Sequence, residues 1–161
     1  MSYGENHTDA QWIANATSAG VTHSVFARMD QQSASMQVRG NYTATPDLTV
    51  QFYGEPFVSR GDYTDFREVG PTPEAPRYRD RFVPYAPSAG TPTGFHYRQL
   101  RTNTVLRWEY RPGSTLFLAW AHGRQASGGS SHLSWGDELD ELLGLHADNT
   151  LLIKVAHWLS W

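Results

Sequence analysis

Apolar and polar residues alternate with a period of two along several stretches of this chain. From Ser33 to Thr43, Ala34, Met36, Val38, Gly40 and Tyr42 fall on one side, and Ser35, Gln37, Arg39, Asn41 and Thr43 on the other. Side chains alternate across an extended strand, so this is the pattern of a strand with one apolar and one polar face. Thr45-Pro46-Asp47 supplies a tight reversal, with proline presetting φ. Leu48 to Phe57 then returns with Leu48, Val50, Phe52 and Gly54 against Thr49, Gln51, Tyr53 and Glu55. The two segments form a hairpin of about ten residues a side, the length that crosses a bilayer as a tilted strand.

The pattern then breaks and resumes. A stretch from about 58 to 98 holds Pro71, Pro73, Pro76, Pro84, Pro87 and Pro92 with scattered charges, and reads as one long connection. Leu100, Thr102, Thr104, Leu106, Trp108 and Tyr110 next alternate with Arg101, Asn103, Val105, Arg107 and Glu109. Arg111-Pro112-Gly113-Ser114 is a second tight turn. Thr115 to Gln125 returns as a strand whose two faces are both largely apolar, so the pattern does not choose between them. A second long connection, 126–149, contains Ser127-Gly128-Gly129-Ser130-Ser131 and a short helix predicted over about 135–143. Ser134 would be its N-cap, Asp137 and Glu138 would suit its dipole, and Gly144 would end it. The last strand, Thr150 to Trp161, places Leu151, Ile153, Val155, His157, Leu159 and Trp161 on one face.

Five strands joined alternately by short turns and long connections are the grammar of an up-and-down outer-membrane barrel, and a terminal aromatic suits its last strand. The fold class expected is therefore all-β: an antiparallel up-and-down meander, the C-terminal part of an outer-membrane β-barrel, with one short helix in a loop. Charges respect the same division. The apolar sides of the first three strands have none, while Arg39, Glu55, Arg101, Arg107 and Glu109 sit opposite. A charge facing lipid near the midplane costs about 2–4 kcal/mol, so a barrel needs this segregation. A soluble sheet packed on a core needs it as well.

Composition narrows the classes. No stretch approaches the eighteen or so apolar residues of a helical span, and mean hydropathy is −0.53. Aromatics reach 13%, which suits interfacial girdles. A net charge of −3 gives no case for nucleic acid. Zero cysteines exclude disulfides and thiolate metal sites. The opening Met1 to His7 lacks a secretory signal's charged start and apolar run, so under the barrel reading the chain is expected to be a C-terminal piece of a longer exported protein.

A family resemblance rests on particular segments: Phe26 to Gln31, Leu48 to Ser59, Gly61 to Phe66, and Asn103 to Phe117 with its Leu-Arg-Trp-Glu-Tyr-Arg-Pro-Gly-Ser run. These resemble the C-terminal barrel, a domain of unknown function, of large Gram-negative outer-membrane proteins that begin with a family-9-like carbohydrate-binding domain. On that resemblance 23–161 is the barrel segment. Residues 1–22 match poorly, with Gln11-Trp12-Ile13 as the tail of a preceding strand. The implied location is the outer membrane, and the implied role is binding or handling of surface carbohydrate. The implied partners are outer-membrane lipid, a glycan and the remainder of a longer barrel.

Candidate residues follow from the faces. Gln37, Arg39, Asn41, Gln51, Tyr53, Glu55, Arg101, Asn103, Arg107 and Glu109 are expected to face a lumen. Tyr42, Phe52, Trp108, Tyr110 and Trp161 are expected at the membrane face or interface. Tyr63, Phe66, Tyr78, Phe82 and Tyr85 could stack on sugars, but packing of the loop on itself is the reading preferred. Asp137, Glu138, Asp140 and Glu141 read as a solvated helix face, and Asp62 with Asp65 as loop chemistry rather than a calcium loop. The seven histidines show neither His-x-His nor His-Glu-x-x-His spacing, and no nucleophile, base and oxyanion hole come together, so neither cofactor, metal nor catalytic residue is assigned. The alternatives are a soluble antiparallel carbohydrate-binding module and a surface glycoside hydrolase, which would need a carboxylate pair in the long loops.

Overall fold

A computed structural model describes residues 1–18, 20–128 and 135–159. Trp161, Ser134, His132 and most of the Ser-Gly-Gly-Ser-Ser run lie outside the described residues. Eight strands occur among those described: β1 (Ser2–Ser18), β2 (Val21–Ser35), β3 (Val38–Thr45), β4 (Leu48–Val69), β5 (Phe82–Pro84), β6 (Gly94–Arg111), β7 (Ser114–Ser127) and β8 (Asp148–Ala156). One helix, α1 (Trp135–Gly144), and a 3-10 turn at Tyr78–Arg81 complete the elements. The class is all-β: an antiparallel meander with one short helix. Its hydrogen-bonded order is β1-β2-β4-β6-β7-β8, with β3 and β5 also on β4, and the path does not close on itself.

Eight strands replace the five expected, for identifiable reasons. Gln11-Trp12-Ile13 lies inside β1, whose first half, Ser2 to Asp9, shows no apolar alternation; Ala10, Trp12, Ala14 and Ala16 share one side only in its second half. The strand expected from Ser33 is instead two. Met36 and Gln37 fall in a break where the Met36 N–H donates to the Pro56 carbonyl at 3.2 Å. Pro56 has no N–H to return, so the ladder is interrupted there. The long connection expected over 58–98 shrinks to 70–93, because β4 continues to Val69 and β6 already starts at Gly94. Charges at Arg60, Asp62, Asp65 and Arg67 hide that extension from a hydrophobicity pattern.

The chain divides into two compact units, one of residues 1–2, 34–58 and 97–161, the other of 3–33 and 59–96. In the second, Val25, Ala27 and Met29 alternate along β2 and are buried. A Cβ added at Gly94 would stand 2.5 Å from the Gly61 carbonyl oxygen, so backbones approach there as only glycine permits. The loop aromatics pack on one another: Tyr63 on Phe95 at 6.2 Å, Tyr78 and Phe26 on Phe82 at 5.3 and 5.5 Å, and Tyr85 on His23 at 5.7 Å. Burial pushes the Tyr63 phenol above its ordinary pKa.

In the first unit the two tight turns set the register. Thr45 pairs with Leu48 around Pro46-Asp47, and Arg111 with Ser114 around Pro112-Gly113. Pro112 at the second position and Gly113 with φ of 76° make the latter a type II turn. Three bonds align the strand ends beside these turns. The Glu109 N–H donates to the Asp47 carbonyl at 2.8 Å, and the Gly113 N–H to the Glu109 carboxylate at 3.1 Å. The Trp158 N–H donates to the Ser114 hydroxyl at 3.0 Å.

Candidate functional site

Register makes the first unit a sheet of two contrasting faces. Arg39 pairs with Tyr53 and Asn41 with Gln51 across β3 and β4. Gly54, Phe52 and Thr102 meet on one side, the position of a Cβ on Gly54 lying 3.7 Å from Thr102 Cγ2. Tyr53 and Asn103 therefore share the other side, where both border the same hollow. Strict pairing of β6 with β7 and of β7 with β8 carries both faces to the edge of the sheet.

The polar face gathers all ten residues for which a lumen position was expected. Glu55 accepts from Tyr53 Oη at 2.6 Å and from Gln37 Nε2 at 3.2 Å. The Arg39 guanidinium lies 5.4 Å from the centre of the Tyr53 ring. Arg107 donates to Glu109 at 3.2 Å. Two open hollows of about 330 and 380 Å³ adjoin at Tyr53 and Asn103, and Asp148 and Thr150 of β8 line the second. Toward β7 and β8 this face becomes mixed: Phe117 and Ala119 stand in register with Arg107 and Val105, and on β8 Leu152 lies between Thr150 and Lys154, with Lys154 opposite Phe117.

The opposite face is apolar and uncovered. It holds Tyr42, Phe52, Trp108 and Tyr110, four of the five residues expected at a membrane face; the fifth, Trp161, lies outside the described residues. The face left undecided for β7 is settled by register: Leu116, Leu118 and Trp120 join Leu106 and Trp108, with Leu151, Ile153 and Val155 of β8 beside them. Leu151, Ile153 and Val155 are 60%, 59% and 61% exposed. Fully buried hydrophobic side chains in this unit, among the described residues, are Ala34, Val58 and Leu142, and none belongs to β6, β7 or β8.

Polar and aromatic groups border that apolar stretch. Toward the tight turns, Tyr110 stacks on His157 with centroids 6.0 Å apart and shares a 2.8 Å hydrogen bond with its Nδ1, and Trp108 meets Tyr110 edge-on. Toward the long connections, the Trp120 indole N–H donates to Asn149 Oδ1 at 2.9 Å, and His122 Nδ1 lies 2.9 Å from the same oxygen. His122, Asn149, His157 and Trp158 were not singled out from sequence, because only the β7–β8 register brings them to the borders.

Farther out on the same face, α1 is fastened by two arginines. Arg98, 4% exposed, pairs with Glu138 at 3.5 Å and with Glu141, and donates to the Gly128 carbonyl at 2.6 Å. Arg124 donates to the carbonyls of Leu142 and Leu143, satisfying a helix C-terminus, and to His122 Nε2 at 3.0 Å. Asp137, Asp140 and Glu141 are exposed, as expected of a solvated acidic face, and the expectation is corrected for Glu138 alone, which is 3% exposed and ion-paired. Asp65 likewise pairs with Arg67, which also reaches Asp9 at 3.5 Å. No group of three or more His, Cys, Asp or Glu suited to a metal occurs among the described residues.

A family model described as a domain of unknown function (DUF5916) matches residues 1–161. The chain belongs to the DUF5916 family. The match spans β1 through β8, so the whole of this sheet is DUF5916 sheet. No curated protein and no solved structure matches it.

Proposed function

We propose that this DUF5916 chain forms part of the wall of an outer-membrane β-barrel, with the apolar face against lipid and the Arg39–Glu55–Arg101–Glu109 face lining a lumen. The uncovered apolar face of β6, β7 and β8 carries this reading. Fully burying a Leu, Ile or Val side chain gains about 1.5–3 kcal/mol, so leaving Leu151, Ile153 and Val155 of β8 about 60% exposed forgoes roughly 1–2 kcal/mol for each in water. Hydrocarbon recovers that energy, and strands satisfy their backbone groups through one another. No described helix is long and apolar enough to cross a membrane. The open path takes further strands from the rest of a longer barrel at its edges. A part in binding or handling surface carbohydrate rests on the resemblance described above. The mutual packing of the loop aromatics favours assigning any such contact to the longer protein rather than to these rings.

Expression without a signal sequence, followed by fractionation with and without detergent, tests the reading. Inclusion bodies that regain β-type circular dichroism only in detergent or lipid support it. A monomer that unfolds cooperatively in plain buffer overturns it and makes a soluble glycan-binding module the better account.

A further inference from the structure

The apolar face does not run the length of its strands. It is bounded at both ends, and the bounds fall at the same level on neighbouring strands. Toward the tight turns the limit is Tyr110 with its partner His157. Toward the long connections it is the cross-strand set Thr102, His122 and Asn149. On this face no charged residue lies between those limits among the described residues, and the next outward position on β7 is Arg124. The middle row, Leu106, Leu118 and Ile153, stands four residues from each limit on β6 and on β8.

We propose that the bilayer-crossing window of this sheet is residues 102–110 of β6, 114–122 of β7 and 149–157 at β8, with Leu118 at the hydrocarbon midplane and its register partners Leu106 and Ile153 about 3 Å to either side of it in depth. The proposal rests on the barrel reading and deepens it by naming which part of each strand meets lipid. The window is nine residues, the low end of the 9–11 that a tilted membrane strand needs. Eight steps at about 3.3 Å give about 26 Å along the strand, and a tilt of about 40° reduces this to about 20 Å along the membrane normal. The apolar band of such barrels is about 25 Å tall, so this window is about 5 Å short of it, a mismatch that local thinning of the bilayer accommodates. Trp108, Tyr110 and His157 then occupy one headgroup region and Trp120, His122 and Asn149 the other; the aromatic residues turn a ring to hydrocarbon and a polar atom to water, and Asn149 supplies the amide oxygen that Trp120 and His122 meet. Residues 97–101 and 123–127 stand outside the bilayer with α1, whose anchors Arg98 and Arg124 share the lipid-side face and could not remain charged within hydrocarbon without large cost.

The chain has no cysteine, so single cysteines can be introduced directly for nitroxide labelling. The full chain carrying L118C, I153C, N149C, H157C or N103C is reconstituted into phosphatidylcholine vesicles, and collision with oxygen is compared with collision with a water-soluble nickel chelate. The expected profile has its highest oxygen-to-nickel ratio at L118C and I153C, a fall toward both N149C and H157C, and low values at N103C on the opposite face. Protein that floats with the vesicles but gives its maximum at a rim, or a flat profile along β8, overturns the window and leaves the barrel reading standing. Protein that does not float with the vesicles overturns both.

Discussion

Arginine at position 153 separates water from lipid as the surroundings of the apolar face. Ile153 is 59% exposed, stands opposite Leu118, and has Leu151 and Val155 as its neighbours on that face of β8. In water, exchanging an exposed side chain of this kind changes stability by about 0.5 kcal/mol or less. Facing the midplane of a bilayer, arginine costs about 2–4 kcal/mol, and near the interface only about 0–1. The rim residue Asn149 lies four positions away, about 13 Å along the strand, farther than an arginine side chain can carry its charge in full. I153R is therefore expected to destabilise the folded chain by about 2–4 kcal/mol in vesicles, roughly thirty-fold to nearly a thousand-fold in the folding constant, and N149R by under about 1 kcal/mol. Reversible guanidinium unfolding from lipid vesicles, followed by tryptophan fluorescence and far-UV circular dichroism, measures both. Equal costs for I153R and N149R, or an I153R cost below about 0.5 kcal/mol, would refute the reasoning.

Other substitutions probe the supports of the sheet. R98M leaves Glu138 buried without its arginine and should cost about 3 kcal/mol, read as faster proteolysis within the β7–β8 connection; R98M combined with E138L should recover much of the loss. G94A drives a Cβ to 2.5 Å from a backbone oxygen that cannot rotate away, so a loss of about 1–3 kcal/mol in denaturant titration is expected. Burial raises the Tyr63 pKa, so the neutral phenol is favoured in the folded state. That contribution is complete below the ordinary tyrosine value near 10 and is lost as pH rises through the folded value, and Y63F should reduce the alkaline loss of stability in a pH series of unfolding curves.

Both tight turns, the helix and the two-faced strands around them were legible in the sequence. Pro46 and Pro112–Gly113 are local signals, and the alternations at 38–45 and 100–110 repeat at short range. The first half of β1 and the far half of β4 were not legible, since stretches polar on both sides carry no hydrophobic period. Pro56 hid the break between β2 and β3, because its effect falls on Met36, a residue distant in sequence. β7 shows why pattern alone falls short. Phe117 and Leu118 are equally apolar, and only pairing with Arg107 and Leu106 tells their faces apart. Glu138 resembled its acidic neighbours until Arg98, forty residues earlier, was placed beside it.

The three bonds at the turn ends, from Glu109 to Asp47, from Gly113 to Glu109 and from Trp158 to Ser114, also proofread alignment. A two-residue slip of one strand past its neighbour keeps every side chain on its original face, so hydrophobic burial alone discriminates weakly against it. A slip of β6 against β4 would break the bond to Asp47, and a slip of β8 against β7 the bond to Ser114. Each is worth about 1 kcal/mol, a several-fold bias against misalignment, and the bond from Gly113 to Glu109 holds the β6–β7 turn itself in one geometry. A sheet whose broad faces supply little positional information can thus count its residues from one rim, with the tight turns as the origin of the count.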